Sequence, residues 1–502
     1  MILSNEGLKN QQAWIEKGYQ LPKYDREQVK KETMENPQWI HFGAGNIFRA
    51  FQANVVEKLL NEGIMNTGLI VAEGYDYEIV EKMNRPHDDL SILATLKADG
   101  TVEKTVVGSI VESLMLDEEN ETEINRLREI FRSPSLKMVS FTITEKGYKT
   151  PQYMSKVTRL LYERFLAGAL PVAMVSMDNC SHNGDKLMEA VETFAREWEE
   201  SGVCQAGFTA YVKDASKVTF PLSMIDKITP RPDANVEKML LSDGIEDLDQ
   251  VVTAKNTYVA PFVNAEETEY LVIEDLFPNG KLPLDRGGII YTDRETVDKT
   301  EKMKVCTCLN PLHTALAIFG CLLGFTSIHD EMDDQTLNKM VRRLGFEEGM
   351  PVVVDPEVLS PVDFINAVLD LRLPNPFMPD TPQRIACDTS QKLPIRFGET
   401  MKAYRKREDL TTDSLTLIPM VLAGWLRYLN GIDDNGNAFE LSPDPMLESL
   451  QGLAPVDILK KQEIFALDLF EDGLADKVLG IYEEMTQGPG SVRKVLEKYV
   501  EA

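Results

Sequence analysis

Lys304, Asn310 and His313 lie in the stretch EKMKVCTCLNPLHTALAIFGCLLGF, where proton-handling and hydrogen-bonding groups run straight into an apolar helix. A lysine entering a water-poor pocket loses solvation of its ammonium form, which makes the amine available as a base near neutral pH. An asparagine amide beside such a base can polarise a carbonyl or an alkoxide without changing charge. Asn310 and His313 are three apart and share a helix face, and Pro311 suits a first helical turn. The chemistry available is proton transfer beside a polarised carbonyl or alkoxide.

Such groups need a scaffold, and the pattern from residue 37 supplies one. WIHFGAG, then IFRAFQANVVEKLLNEG, then GLIVAEG read as strand, helix and strand. KMVSFTIT (137–144) and PVAMVSMD (171–178) are further strands that lead into polar turns and helical stretches, which predicts a doubly wound parallel sheet. After about residue 290 the chain turns to amphipathic or apolar helices (313–325, 334–346, 415–430, 456–472, 474–486) joined by Pro-rich segments such as RLPNPFMPDTPQR. The expected architecture is an α/β Rossmann-like domain over 1–290 and a mostly α-helical domain over 291–502. The boundary is expected within LDRGGIIYTDRETVDKTEK.

The first strand ends on GAGNIF (43–48). Gly43 and Gly45 permit a tight turn and close approach to a pyrophosphate, with Asn46 and Ile47 opening the helix on which it sits. Phe48 occupies the third position of the dinucleotide fingerprint, where glycine is usual. The second strand ends on Glu73, a carboxylate placed to bind ribose hydroxyls and to repel a 2'-phosphate, so NAD is expected over NADP; Asp76 competes for that role.

The chain has 502 residues, enough for two cores, and a formal net charge of −28, which argues against nucleic-acid or anionic-membrane partners. The six cysteines lack CxxC pairs and clustered histidines, so no zinc site is expected, and free thiols fit a reducing cytoplasm. Cys306 and Cys308 form a CxC read as small buried residues. No apolar core follows a basic start at the N-terminus, so no signal peptide is expected, and the apolar run 314–325 is too short to span a bilayer.

Six motifs follow in order: TITEKGY (142–148), SMDNCSHNG (176–184), SMIDKITPRP (223–232), EDLFPNGKLP (274–283), KVCTCLNPLH (304–313) and NPFMPDTPQRIACDTSQKLP (375–394). The set resembles the mannitol dehydrogenase family of long-chain, metal-independent polyol dehydrogenases and uronate reductases along almost the whole chain. That resemblance implies a nucleotide-binding domain, a helical domain, and a site in the cleft between them. It implies Lys304 as general base, Asn179 and Asn310 as the amides on the substrate oxygen, and Glu145 as a proton relay to solvent. His313 and Asp226 are implied as ligands of substrate hydroxyls, and Arg384 and Lys392 as the cationic pair of the RI..D..QK segment.

Three departures from the family pattern stand out. Lys304 precedes Asn310 by six positions, where the family commonly has five. One extra residue turns an α-helix by about 100°, so Lys304 reaches the site only if the segment is irregular; Lys302 is the fallback. Cys387 stands where polyol-oxidising members tend to have histidine, and GAGNIFRAF replaces an aromatic-histidine pair common in the mannitol branch.

The resemblance implies an NAD-dependent oxidoreductase acting on an open-chain sugar derivative, as a monomer or small homo-oligomer. D-mannonate with D-fructuronate is the leading pair, because a substrate carboxylate could use Arg384, Lys392 and Arg396. Mannitol 2-dehydrogenase and tagaturonate reductase activity are alternatives, and a catalytically silent NAD or sugar-acid binding protein is the reading from another class.

Overall fold

The structure is a computed structural model that describes all 502 residues, Met1–Ala502. It forms two compact units, Met1–Val297 without residues 98–100, and Asp298–Ala502 together with 98–100. The division falls inside the helix Arg294–Met303.

The first unit is built on six parallel strands: β1 Trp39–Phe42, β2 Leu69–Glu73, β3 Ile110–Met115, β4 Met138–Phe141, β5 Val172–Ser176 and β6 Val218–Thr219. Their spatial order is β3-β2-β1-β4-β5-β6, the doubly wound nucleotide-binding order whose switch point lies between β1 and β4. Successive side chains of a strand point to opposite faces. Trp39, Leu69, Val71, Met138 and Val175 therefore enter one core, and Ile40, Phe42, Ile70, Val139 and Met174 enter the other.

Helices Gln52–Asn61 and Glu121–Arg132 follow β1 and β3, while Pro151–Leu166 and Asn183–Glu200 follow β4 and β5. Besides a two-stranded pair, Val251–Val252 with Tyr258–Val259, two smaller sheets complete the unit. Tyr19–Gln20, Val102–Val107, Ser91–Leu96 and Phe262–Glu266 form one, and Ser223–Asp226, Tyr270–Glu274 and Ile290–Thr292 the other.

The second unit is helical. Asn310–Leu323 and Leu417–Tyr428 are buried at nearly every position, as their uniform apolar sequence requires. Gly424 lets the two approach closely, since a methyl group there would meet the Phe319 ring at 2.8 Å. The run Arg294–Leu323, helical except at Leu309, has the length and hydropathy of a membrane span, but 78% of its apolar window is packed inside the protein, as in a core helix. The expected helix over 456–472 is instead two short ones, Pro455–Leu459 and Gln462–Phe465. Ala466, at φ 63°, adopts the left-handed conformation that ends the second.

Candidate active site

In the second unit, the extra residue between Lys304 and Asn310 is absorbed by a π-turn. Lys304–Cys308 is π-helical, and the N–H of Leu309 donates to the carbonyl of Lys304 at 3.1 Å, an i to i+5 bond. Leu309 then leaves helical geometry (φ −129°), and a new α-helix starts at Asn310 with Pro311 in its first turn. A π-turn takes up one residue without changing which face the flanking segments present. Lys304 is thus buried, at 3% exposure, while Lys302 is exposed and ion-paired to Asp298 at 2.8 Å. The geometry favours Lys304 over its fallback.

His313 lies one turn into the same helix. Burial first, and then Arg396, Arg384, Arg372 and Lys392, push its imidazole down to about 3, so it is neutral at physiological pH. Its Nε2 lies 3.4 Å from a carboxylate oxygen of Asp380 without hydrogen-bond geometry, and remains a buried orphan. A neutral ring nitrogen of this kind can exchange hydrogen bonds with a hydroxyl. Asp380, also paired to Arg384, was not identified from sequence. Its only signal is its place just before the Thr381-capped helix that carries Arg384.

The two cations expected from the RI..D..QK segment are both engaged. Arg384 pairs with Asp380, and its side chain is 61% exposed. The ammonium of Lys392 donates to the carbonyls of Ile385 (3.0 Å) and Cys387, capping the end of the helix Pro382–Ile385. Cys387 in turn directs its thiol to the carbonyl of Gln383 at 3.7 Å. Arg396 differs: its Nη1 donates to Thr314 Oγ1 and to the carbonyl of Asn310 at 3.5 Å, both neutral acceptors. Burial pulls its guanidinium down to about 10, so it stays charged. Burial likewise pushes the Cys306 and Cys308 thiols up to about 11 and about 12, which leaves them unreactive.

In the first unit, Gly43 has φ 109°, and a Cβ there would collide with the carbonyl of Thr142 on the neighbouring β4 loop, so glycine is required by the fold itself. Gly45, by contrast, faces open space, with no atom within 4 Å of an added Cβ. Asn46 follows with an orphaned, buried Oδ1. Gly45, Asn46 and Ile47 are partly exposed. Phe48 is fully buried and stacks on His41 at 4.0 Å with the rings 3° from parallel. The ring serves the core, taking the space that glycine would leave between helix and sheet. His41 is itself fixed between Ser140 Oγ (2.7 Å) and Thr142 Oγ1 (2.8 Å).

Glu73 is held by backbone donors. One carboxylate oxygen accepts from the N–H of Ala44 at 2.8 Å, and the other from Tyr75 (2.8 Å) and Asp76 (3.0 Å). The carboxylate ties the glycine turn to the loop after β2. Its burial raises its pKa, against those three donors. Asp76 is buried too, bonded to Thr253 Oγ1 at 2.6 Å.

At the end of β5, Asp178 accepts from the N–H groups of Ile143 (3.0 Å) and Thr144 (2.8 Å) and from the Tyr148 hydroxyl (2.5 Å), which joins the β4 and β5 loops. Thr144 is held at φ 63° there. Asn179 follows on the exposed side of this turn. Glu145 is exposed and ion-paired to Lys149 (3.0 Å) and Lys186 (3.4 Å), which hold its carboxyl below the usual range. Asp226 is buried at the end of its strand, paired in register with Tyr270.

Residues 37–286 match the mannitol dehydrogenase Rossmann domain and residues 296–501 the mannitol dehydrogenase C-terminal domain. The chain belongs to the mannitol dehydrogenase family. Among relatives in that family, D-mannonate oxidoreductase of Thermotoga maritima is 48% identical, covering 100% of this chain and 99% of its own length. Mannitol 2-dehydrogenase of Pyrenophora tritici-repentis is 29% identical over 95% of this chain and 83% of its own. The fold matches a substrate-free D-sorbitol dehydrogenase structure (TM-score 0.79, 23% identity, 95% and 97% coverage) and the Pseudomonas fluorescens mannitol 2-dehydrogenase ternary complex (TM-score 0.70, 24% identity, both chains fully covered).

Proposed function

We propose that this mannitol dehydrogenase family member is an NAD-dependent oxidoreductase that interconverts D-mannonate and D-fructuronate. The observation that carries the reading is the 48% identity to D-mannonate oxidoreductase from end to end of both chains. Mannitol dehydrogenases are more distant, at 29% identity or less.

The residues present suit NAD. Gly45 leaves its surroundings open, Asn46 Oδ1 is a buried polar atom without a partner, and β1 runs directly into the turn. A bound nicotinamide would supply the hydride acceptor for the carbinol carbon on oxidation and the hydride donor for the ketone on reduction. Gly43, Gly45, Asn46 and Ile47 hold the cofactor; Glu73 keeps the turn in shape.

Lys304 takes the proton of the substrate hydroxyl on oxidation and returns it on reduction. Asn310 and Asn179 donate amide hydrogens to the substrate oxygen, stabilising the alkoxide that develops there. His313, neutral, and Asp226 bind the remaining hydroxyls. Glu145, kept ionised and in contact with solvent, accepts protons on their way out. The enzyme works on a small-molecule sugar acid in the cytoplasm, as a monomer or small homo-oligomer.

Incubating the enzyme with D-mannonate and NAD tests this directly. NADH formation is expected with D-mannonate and not when NADP replaces NAD. Clear NADH binding without turnover of D-mannonate, D-fructuronate or D-fructose would leave only a binding protein.

A further inference from the structure

An open-chain hexonate carries a carboxylate at the far end from its reacting carbinol, and a buried carboxylate needs a paired cation. Of the cations around His313, Arg384 is neutralised by Asp380, and Lys392 is spent on the carbonyls of Ile385 and Cys387. Arg396 bonds only to neutral groups, and both of those bonds leave from Nη1. Its Nε and Nη2 carry no hydrogen bond, and neither is sealed from solvent. Those two atoms form one edge of the guanidinium, the fork that grips a carboxylate with two parallel bonds.

The placement is equally specific. Arg396 sits on a π-turn, Pro394–Gly398, that packs against the π-turn bearing Lys304. Its Nη1 is tied to the first turn of the helix that carries Asn310 and His313. Thr314 Oγ1 donates to the carbonyl of Asn310 at 2.9 Å, so its lone pairs face the arginine and fix the fork. Arg396 also heads the charges that keep His313 neutral, which marks a local positive field in a chain of net charge −28.

We infer that Arg396, and neither Arg384 nor Lys392, binds the substrate's carboxylate through its Nε and Nη2 edge, and that it sets the preference for sugar acids over uncharged polyols. This rests on the hexonate reading above.

The test compares wild type, R396M and R396K for kcat/KM with D-fructuronate and with D-fructose, each alongside a thermal unfolding curve. R396M is expected to lose at least about a hundredfold on D-fructuronate, as removal of one partner of a buried charge pair does, and at least about tenfold less than that on D-fructose, which feels only the lost tie to the Asn310 helix. R396K, which keeps the charge without the fork, is expected to fall between. Equal losses on both substrates, or no loss on D-fructuronate, would overturn the inference. If R396M does not fold, R396K decides alone: an unchanged ratio between the two substrates overturns the inference. A wild type that prefers D-fructose defeats the hexonate reading itself, and that failure is visible before any variant is made.

Discussion

The carbonyl of Lys304 accepts a hydrogen bond from the N–H of Leu309 at 3.1 Å, five residues on, in place of the four-residue step of an α-helix. That single wide turn takes up the one residue by which the Lys304-to-Asn310 spacing exceeds the five expected from the resemblance. It also keeps Lys304 buried and leaves Lys302 in solvent.

Replacing Lys304 by alanine is expected to lower kcat for D-fructuronate reduction by about 10²–10⁴, the range for loss of a general acid or base. Lys302→Ala is expected to leave kcat within about twofold. Steady-state rates for both variants check this, and a K304A enzyme at full rate would remove the assignment.

His313, held near 3 by burial and surrounding cations, does not titrate in the working range. The pH profile of kcat/KM between about pH 5 and 9 is expected to show no inflection from it. His313→Asn is expected to raise KM while leaving the profile's shape intact. An acidic limb near pH 6 that disappears in H313N would contradict this.

Glu73 accepts three backbone N–H groups with two oxygens. A glutamine keeps only one oxygen as acceptor, and its amide hydrogens would face N–H donors. Glu73→Gln is therefore expected to cost about 1–3 kcal/mol of stability and to weaken NADH binding at the same time. A variant with weaker NADH binding but an unchanged melting temperature would point back to direct ribose contact.

Glu331 is completely buried, with both carboxylate oxygens unpartnered beside Gly320, and burial raises its pKa well above the ordinary 4.5. The folded state holds this proton at pH values where the unfolded chain has released it. Stability contributed by the group is therefore lost as pH rises from about 4.5 toward the folded value, at about 1.4 kcal/mol per pH unit. Glu331→Met is expected to stabilise the protein, more at pH 8 than at pH 5. Thermal unfolding at both values measures it, and a stabilisation that shrinks with rising pH would refute it.

Much of the fold was legible from residue order alone. Short apolar runs alternating with amphipathic stretches identified β1, β2, β4 and β5, because parallel strands covered on both faces are apolar throughout. The break at Ala466 was not legible, since alanine carries no signal for a left-handed residue. Within the site, side-chain types were readable and their engagements were not. Glu73 stands where a ribose ligand would, yet its partners are backbone N–H groups that no sequence displays. Lys392 matches its motif, yet turns onto carbonyls. The spacing anomaly at Lys304 was visible in sequence, but its resolution required the backbone hydrogen bond to Leu309.

The most direct measurement is NADH oxidation with D-fructuronate, D-tagaturonate and D-fructose side by side, at equal enzyme and across substrate concentration. The highest kcat/KM is expected for D-fructuronate, at least about tenfold above the other two. Preference for D-fructose, or oxidation of NADH with none of the three, would contradict it.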